Sequence, residues 1–235
     1  MHRQLITSDT TILPRQAPYV TRIYGASPDI GFCGGSLIAP TKVLTAAHCL
    51  VDDTSTSPYT YSTGSLFVGT YHHDVYASSP LWLPIDVNED VIDVIDAVVH
   101  PDYNRVVNGQ DVAILTLQRP PSAYDTADGP PAVVLDDGTY WPEGAPPPSN
   151  LTYVVGYGAT TYGGSQSAYL QAAHVHMHPR AECNAYLSHA YNYTVAMAPS
   201  NGCANLDEGD SCSGDSGGPL AVYDRGAHVQ TGIVS

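Results

Sequence analysis

The sequence predicts an all-β protein of antiparallel strands, and three observations carry that reading. Short stretches alternating apolar and polar residues recur along the whole 235-residue chain, as half-buried strands do. Glycine (21) and proline (19) are abundant and, with many Ser, Thr and Tyr, favour short strands joined by turns. Hydrophobic residues make up 43%, enough to build a core and too many for a disordered chain.

In chain order, strands are expected at PYVTRIYG (18–25), GGSLIAPTKVLTAAH (34–48), GSLFVGTYH (64–72), VIDVIDAVVH (91–100), DVAILTLQ (111–118), LTYVVGYG (151–158), AYLQAAHVHMH (168–178) and PLAVYD (219–224). HPRAECNAYLSHA (178–190) is the short-helix candidate. The stretch from Pro120 to Asn150 is rich in Pro, Gly and Asp and reads as a linker between two β-domains. No internal repeat of solenoid or propeller period is present.

Charge narrows the function classes. The formal net charge is −15, with Lys42 the single lysine beside seven arginines. Such a chain cannot neutralise a row of phosphates, so nucleic acid is excluded as a partner. The acidic surface fits a self-repelling monomer that attracts cationic ligands. No run approaches the ~20 apolar residues of a membrane-spanning helix. The first residues, MHRQLITSDTTILPRQ, lack the apolar run of a secretory signal, so either a signal has been removed or this start is not the natural one.

Three distant segments each offer one member of a nucleophilic relay. LTAAHC sets His48 at a strand end beside Cys49, GQDVAILTL sets Asp111 directly before an apolar strand, and GDSGGP sets Ser216 among glycines. A serine hydroxyl needs a base to take its proton, and the base needs an acceptor to fix its tautomer. Singly, each has an ordinary structural explanation: a core histidine, a turn aspartate, a Gly-Ser loop. Jointly, with these flanks, they point to a catalytic assembly.

CGGSLIAPTKVLTAAHC, DVAILTL, VVGYGA and DSCSGDSGGPL together resemble the trypsin-like serine proteases of the chymotrypsin fold, over nearly the whole chain from about Pro18 to Ser235. The resemblance implies two six-stranded antiparallel β-barrels with the site between them, the second barrel incomplete at the C-terminus. The division it implies is 1–16 as an activation-type segment, 17–125 as the first barrel carrying His48 and Asp111, and 126–235 as linker and second barrel carrying Ser216. By the same resemblance Ser216 is the nucleophile, His48 the general base, and Asp111 the group that orients it. The N–H groups of Gly214 and Ser216 form the oxyanion hole, and Asp210 and Ser235 are substrate-binding, Asp210 as the base of the primary specificity pocket and Ser235 also as support for Asp111. Asp215 pairs with a new α-amino group after activation. The implied activity is endopeptidase hydrolysis through an acyl-enzyme, after Arg or Lys. The alternative is a catalytically silent homologue that binds proteins through the same cleft. Implied partners are protein or peptide substrates and protein protease inhibitors, with no cofactor, no metal and no membrane. The scarcity of Lys and Arg would limit self-digestion.

The resemblance also pairs Cys33 with Cys49 and Cys183 with Cys203. Cys212 then either has a partner beyond the printed end or is a regulatory thiol. N-x-T sequences at Asn150 and Asn192 are glycosylation candidates and favour a secreted, extracellular protein. His174, His176 and His178 share one face if HVHMH is a strand, either as exposed histidines or as metal ligands. Three features depart from the family pattern. Ile6 stands near the expected start of the mature chain, but Leu5 rather than a basic residue precedes it, and cleavage at the nearest basic residue, Arg3, would expose Gln4. The chain also ends at Ser235, before the strand that walls the specificity pocket. Thr70 stands where a calcium-binding loop would place a glutamate, which argues against calcium.

Overall fold

The computed structural model describes residues 16–25, 31–51, 63–71, 89–122, 124, 132–141, 152–160, 164–167, 169–192, 194, 196–205, 213–224 and 226–235. Six strands close into an antiparallel barrel: β1 (Val20–Tyr24), β2 (Gly31–Ala39), β3 (Lys42–Thr45), β4 (Phe67–Tyr71), β5 (Glu89–Val99) and β6 (Ala113–Leu117), in the order β1-β2-β3-β6-β5-β4. Every expected strand of this half is present. The alternation that announced them is the inside–outside alternation of the barrel wall. In β6, Ala113, Leu115 and Leu117 are buried while Ile114 is exposed. Ile23, Leu37, Val43, Val68 and Leu115 fill the interior with no exposed surface.

The second half contains β7 (Val134–Leu135), β8 (Thr152–Gly156), β9 (Gln171–His174), β10 (His176–His178), helix α1 (Arg180–Tyr191), β11 (Cys203–Asn205), β12 (Pro219–Asp224) and β13 (Ala227–Ile233). Among the described residues these strands form a five-stranded sheet, β7-β13-β12-β8-β9, and a β10–β11 ribbon, rather than a second closed six-stranded barrel. One pair, β7 with β13, is parallel. The reason lies in how the linker is anchored: Val133 N–H bonds Leu37 C=O in the barrel at 2.9 Å, and Asp136 N–H bonds Gln230 C=O at 2.9 Å. These two ends fix the direction of the two residues between them.

The two halves share one core. The buried cluster that fills the barrel continues into the sheet through Tyr153, Val155, Tyr157, Leu170 and Ala221. Polar groups also bridge the junction. Ser36 Oγ donates to Gln230 Oε1 at 2.6 Å, where both side chains are buried. His228 Nδ1 lies 3.0 Å from Tyr19 Oη, from the barrel side, and also meets Tyr153 Oη. Burial raises the phenol pKa of Tyr19 and Tyr153, the latter to about 12, and lowers that of the His228 imidazole.

The helix candidate is helical within two residues of its expected limits. Pro179 precedes its first turn, where a missing N–H costs nothing, and Asn192 ends it in the left-handed conformation (φ 56°). Cys183 on α1 is bonded to Cys203 on β11, and Cys33 on β2 to Cys49, so both implied disulfides are present.

Candidate active site

His48 sits on a single 3-10 turn, Ala47–Cys49, directly after β3. The turn is pinned on both sides, by buried Ala47 and Leu50 and by the Cys33–Cys49 bond. Asp111 lies just before β6. Positive φ at Gly109 (83°) and Gln110 (54°) swings the chain around before the strand begins. The two residues, 63 positions apart, meet twice: the His48 backbone N–H donates to Asp111 Oδ1 at 2.9 Å, and His48 Nδ1 is 2.7 Å from Asp111 Oδ2. A carboxylate can only accept, so Nδ1 carries the proton, and in the neutral ring Nε2 keeps the lone pair.

The Asp111 side chain is 6% exposed and that of His48 is 23% exposed. Burial pushes the Asp111 carboxyl upward, but hydrogen bonds from His48 and Ser235 outweigh it and hold the group below the usual carboxylate range. Ser235 Oγ donates to Asp111 Oδ2.

Ser216 lies in the turn between Ser213 and Gly218, before β12. Its carbonyl accepts the Gly34 N–H from β2 at 2.7 Å, and Gly217 N–H bonds Val234 C=O at 2.7 Å. The Cys49 sulfur lies 4.0 Å from His48 Nε2 and 3.7 Å from the Ser216 carbonyl oxygen, so the imidazole and the Ser216 peptide flank one disulfide. Among the described residues no hydrogen bond joins Ser216 Oγ to His48 Nε2.

Gly214 has φ +99°, a conformation that side-chain-bearing residues rarely adopt, and it orients the peptide two residues before Ser216. Asp215, 2% exposed, accepts the Gly158 N–H on Oδ1 at 2.8 Å. Gly158 has no alternative: a Cβ there would stand 2.3 Å from the Asp215 carboxyl carbon.

Other expected positions divide as follows. Asp210, Cys212, Asn150, Ile6 and Arg3 lie outside the described residues. Asn192 is exposed at the end of α1. Thr70 is buried on β4, so its side chain faces the barrel interior. His174, His176 and the intervening Val175 alternate exposed and buried, but His174 packs its ring against Tyr153 and His178 Nδ1 pairs with Glu182 at 3.3 Å. Among the described residues the one trio of ligand-type atoms that converges is Cys33, His48 and Cys49, and both sulfurs are in a disulfide.

The sequence reading missed Arg22, Gln166 and Gln230. Gln166 Nε2 lies 2.3 Å from where a Cβ on Gly214 would be, and Arg22 stacks on Tyr157 in the VVGYGA segment. Nothing local marked them, because each acts across more than 40 residues of sequence.

Among the described residues no helix is long and apolar enough to cross a membrane. The chain matches the family model described as Trypsin over residues 6–235. It is 33% identical over 198 residues to a trypsin of Saccharopolyspora erythraea, covering 83% of this chain and 72% of that one. It is 32% identical over 219 residues to a vitellin-degrading protease of Bombyx mori (92% and 70%), and 31% identical over 234 residues to coagulation factor XII of Bos taurus (95% and 34%). The fold, the disulfides and these matches agree: the chain belongs to the trypsin-like serine protease family.

Proposed function

We propose that the protein is an active serine endopeptidase, with Ser216 as nucleophile, His48 as general base and Asp111 as its orienting carboxylate. The observation that carries this is the double contact of His48 with a buried, ionised Asp111, which leaves Nε2 as the basic nitrogen, and Cys49 Sγ lies 4.0 Å from that nitrogen and 3.7 Å from the Ser216 carbonyl oxygen. In the reaction Ser216 Oγ adds to the scissile carbonyl as its proton passes to Nε2. Asp111 stabilises the resulting imidazolium. Collapse of the tetrahedral adduct breaks the C–N bond as Nε2 returns the proton to the leaving amine, and water then repeats the sequence on the ester. The N–H groups of Gly214 and Ser216 receive the oxyanion, each contributing about 3 kcal/mol to the transition state.

The proposed preference for Arg or Lys rests on the family resemblance, in which Asp210 matches the base of the specificity pocket and a carboxylate at that position favours a cationic side chain. The two disulfides and the exposed Asn192 support secretion and glycosylation at that position. Protein inhibitors shaped like substrates would occupy the same cleft, and the charge of −15 supports a monomer.

A fluorophosphonate probe tests the activity. Stoichiometric modification of Ser216 supports it; a folded, unreactive chain makes the protein a silent homologue instead. Arg- and Phe-amide substrates then test Asp210: equal hydrolysis of both would remove the proposed preference.

A further inference from the structure

We propose that Arg22 is a positioning residue for the nucleophile loop, acting on it from the opposite half of the molecule. The proposal deepens the protease reading and rests on it for its kinetic consequence.

Arg22 lies on β1, opposite Gly34 on one side and Gly69 on the other. Its guanidinium does not stay with the barrel. It lies 4.1 Å over the ring of Tyr157, which is 4% exposed, and Nη2 donates to the Ser167 carbonyl at 2.5 Å. Ser167 N–H in turn is shared between the carbonyls of Tyr157 (3.0 Å) and Gly158 (3.1 Å). One cation therefore clamps both sides of the neck of the segment from Tyr157 to Ser167.

That neck holds the residues on which the nucleophile loop rests. Gly158 N–H binds Asp215 Oδ1 at 2.8 Å, and Ala159 N–H binds Ser213 C=O at 2.9 Å. Ser213 and Asp215 flank Gly214, and Asp215 adjoins Ser216. A shift of Tyr157 would pass through these two bonds to both proposed oxyanion-hole donors. A second tie reinforces the first, because Gly34, the β2 residue facing Arg22, binds the Ser216 carbonyl. A planar guanidinium can stack on a ring and donate at its edge together; an ammonium cannot do both.

The test compares Arg22→Lys and Arg22→Met with wild type, and uses Asp90→Asn, remote from the site, as the control for stability loss alone. Normalised to titrated active sites, kcat on a peptide amide should fall about 10–100-fold, with KM changed less than about 2-fold. Affinity for a peptide-aldehyde transition-state analogue should fall by the same factor as kcat. Amide hydrogen exchange should accelerate at 157–160 and 213–218 while β3 and β6 keep their protection. Unchanged exchange in those two segments would overturn the proposal, as would losses shared by Asp90→Asn. If wild type itself resists fluorophosphonate, the protease reading fails, and hydrogen exchange still decides whether Arg22 braces the loop.

Discussion

Ser235 Oγ and His48 Nδ1 converge on one oxygen, Oδ2 of Asp111, while Oδ1 takes the His48 backbone N–H. The carboxylate thus takes three donors, two from His48 in the barrel half and one from Ser235 just beyond β13. Its orientation is over-determined, and so is the tautomer of the imidazole.

Replacing Asp111 by Asn should therefore leave the fold intact and remove the function. An amide NH₂ facing Nδ1 forces the proton onto Nε2, where it blocks the base. The loss in kcat expected is about 10⁴-fold, the size known for this change in a Ser-His-Asp triad. Steady-state hydrolysis, with circular dichroism as the folding check, measures it.

Gly158→Ala places a methyl 2.3 Å from the Asp215 carboxyl carbon, so the carboxylate must move and release the Gly158 N–H. Displacement of about 1 Å at a positioning group costs on the order of 10²-fold in rate. Burst titration should show sites still present but slow to acylate.

Asp90 carries a pH signature separate from catalysis. Burial raises its pKa, but donors from Arg119 and Ser122 lower it more, to about 2. A carboxyl whose folded pKa is depressed stabilises the fold above its unfolded value near 4, and that stabilisation is lost as pH falls toward 2. Because Arg119 is partly exposed, the contribution expected is about 1–2 kcal/mol. Urea midpoints of wild type and Asp90→Asn should differ at pH 6 and converge near pH 2.

Removing the Cys33–Cys49 bond by a double Ala substitution should cost about 3 kcal/mol for its 16-residue separation. It should also lower kcat per folded molecule, since that sulfur pair supports the His48 turn. Removing Cys183–Cys203 should cost similar stability and leave kcat per folded molecule unchanged.

The barrel was legible in the sequence because its wall alternates. Ala113, Leu115 and Leu117 point inward and their neighbours outward, which is a pattern of period two. β13 was not legible, since AHVQTGI places Gln230 inward, satisfied by Ser36 from the barrel, and no local pattern announces a buried amide. The two-residue β7 was hidden inside a linker composition and is held by its pairing with β13 and by the bonds of its flanking residues, Val133 to Leu37 and Asp136 to Gln230. At the site, His48, Asp111, Ser216 and Ser235 stand in distinctive flanks. Arg22 stands in an ordinary strand, and its role depends on Tyr157, 135 residues away.

The loop around Ser216 is stitched to β2 through Gly34 and to the end of β13 through Val234. Prising the barrel from the sheet would cut the first stitch and part His48 from Ser216, while the second, within the sheet half, would hold. Under the proposed function, a molecule whose two halves have parted would be inert toward its neighbours. The proposed activity therefore requires a closed seam, because the barrel carries His48 and Asp111 and the sheet half carries Ser216.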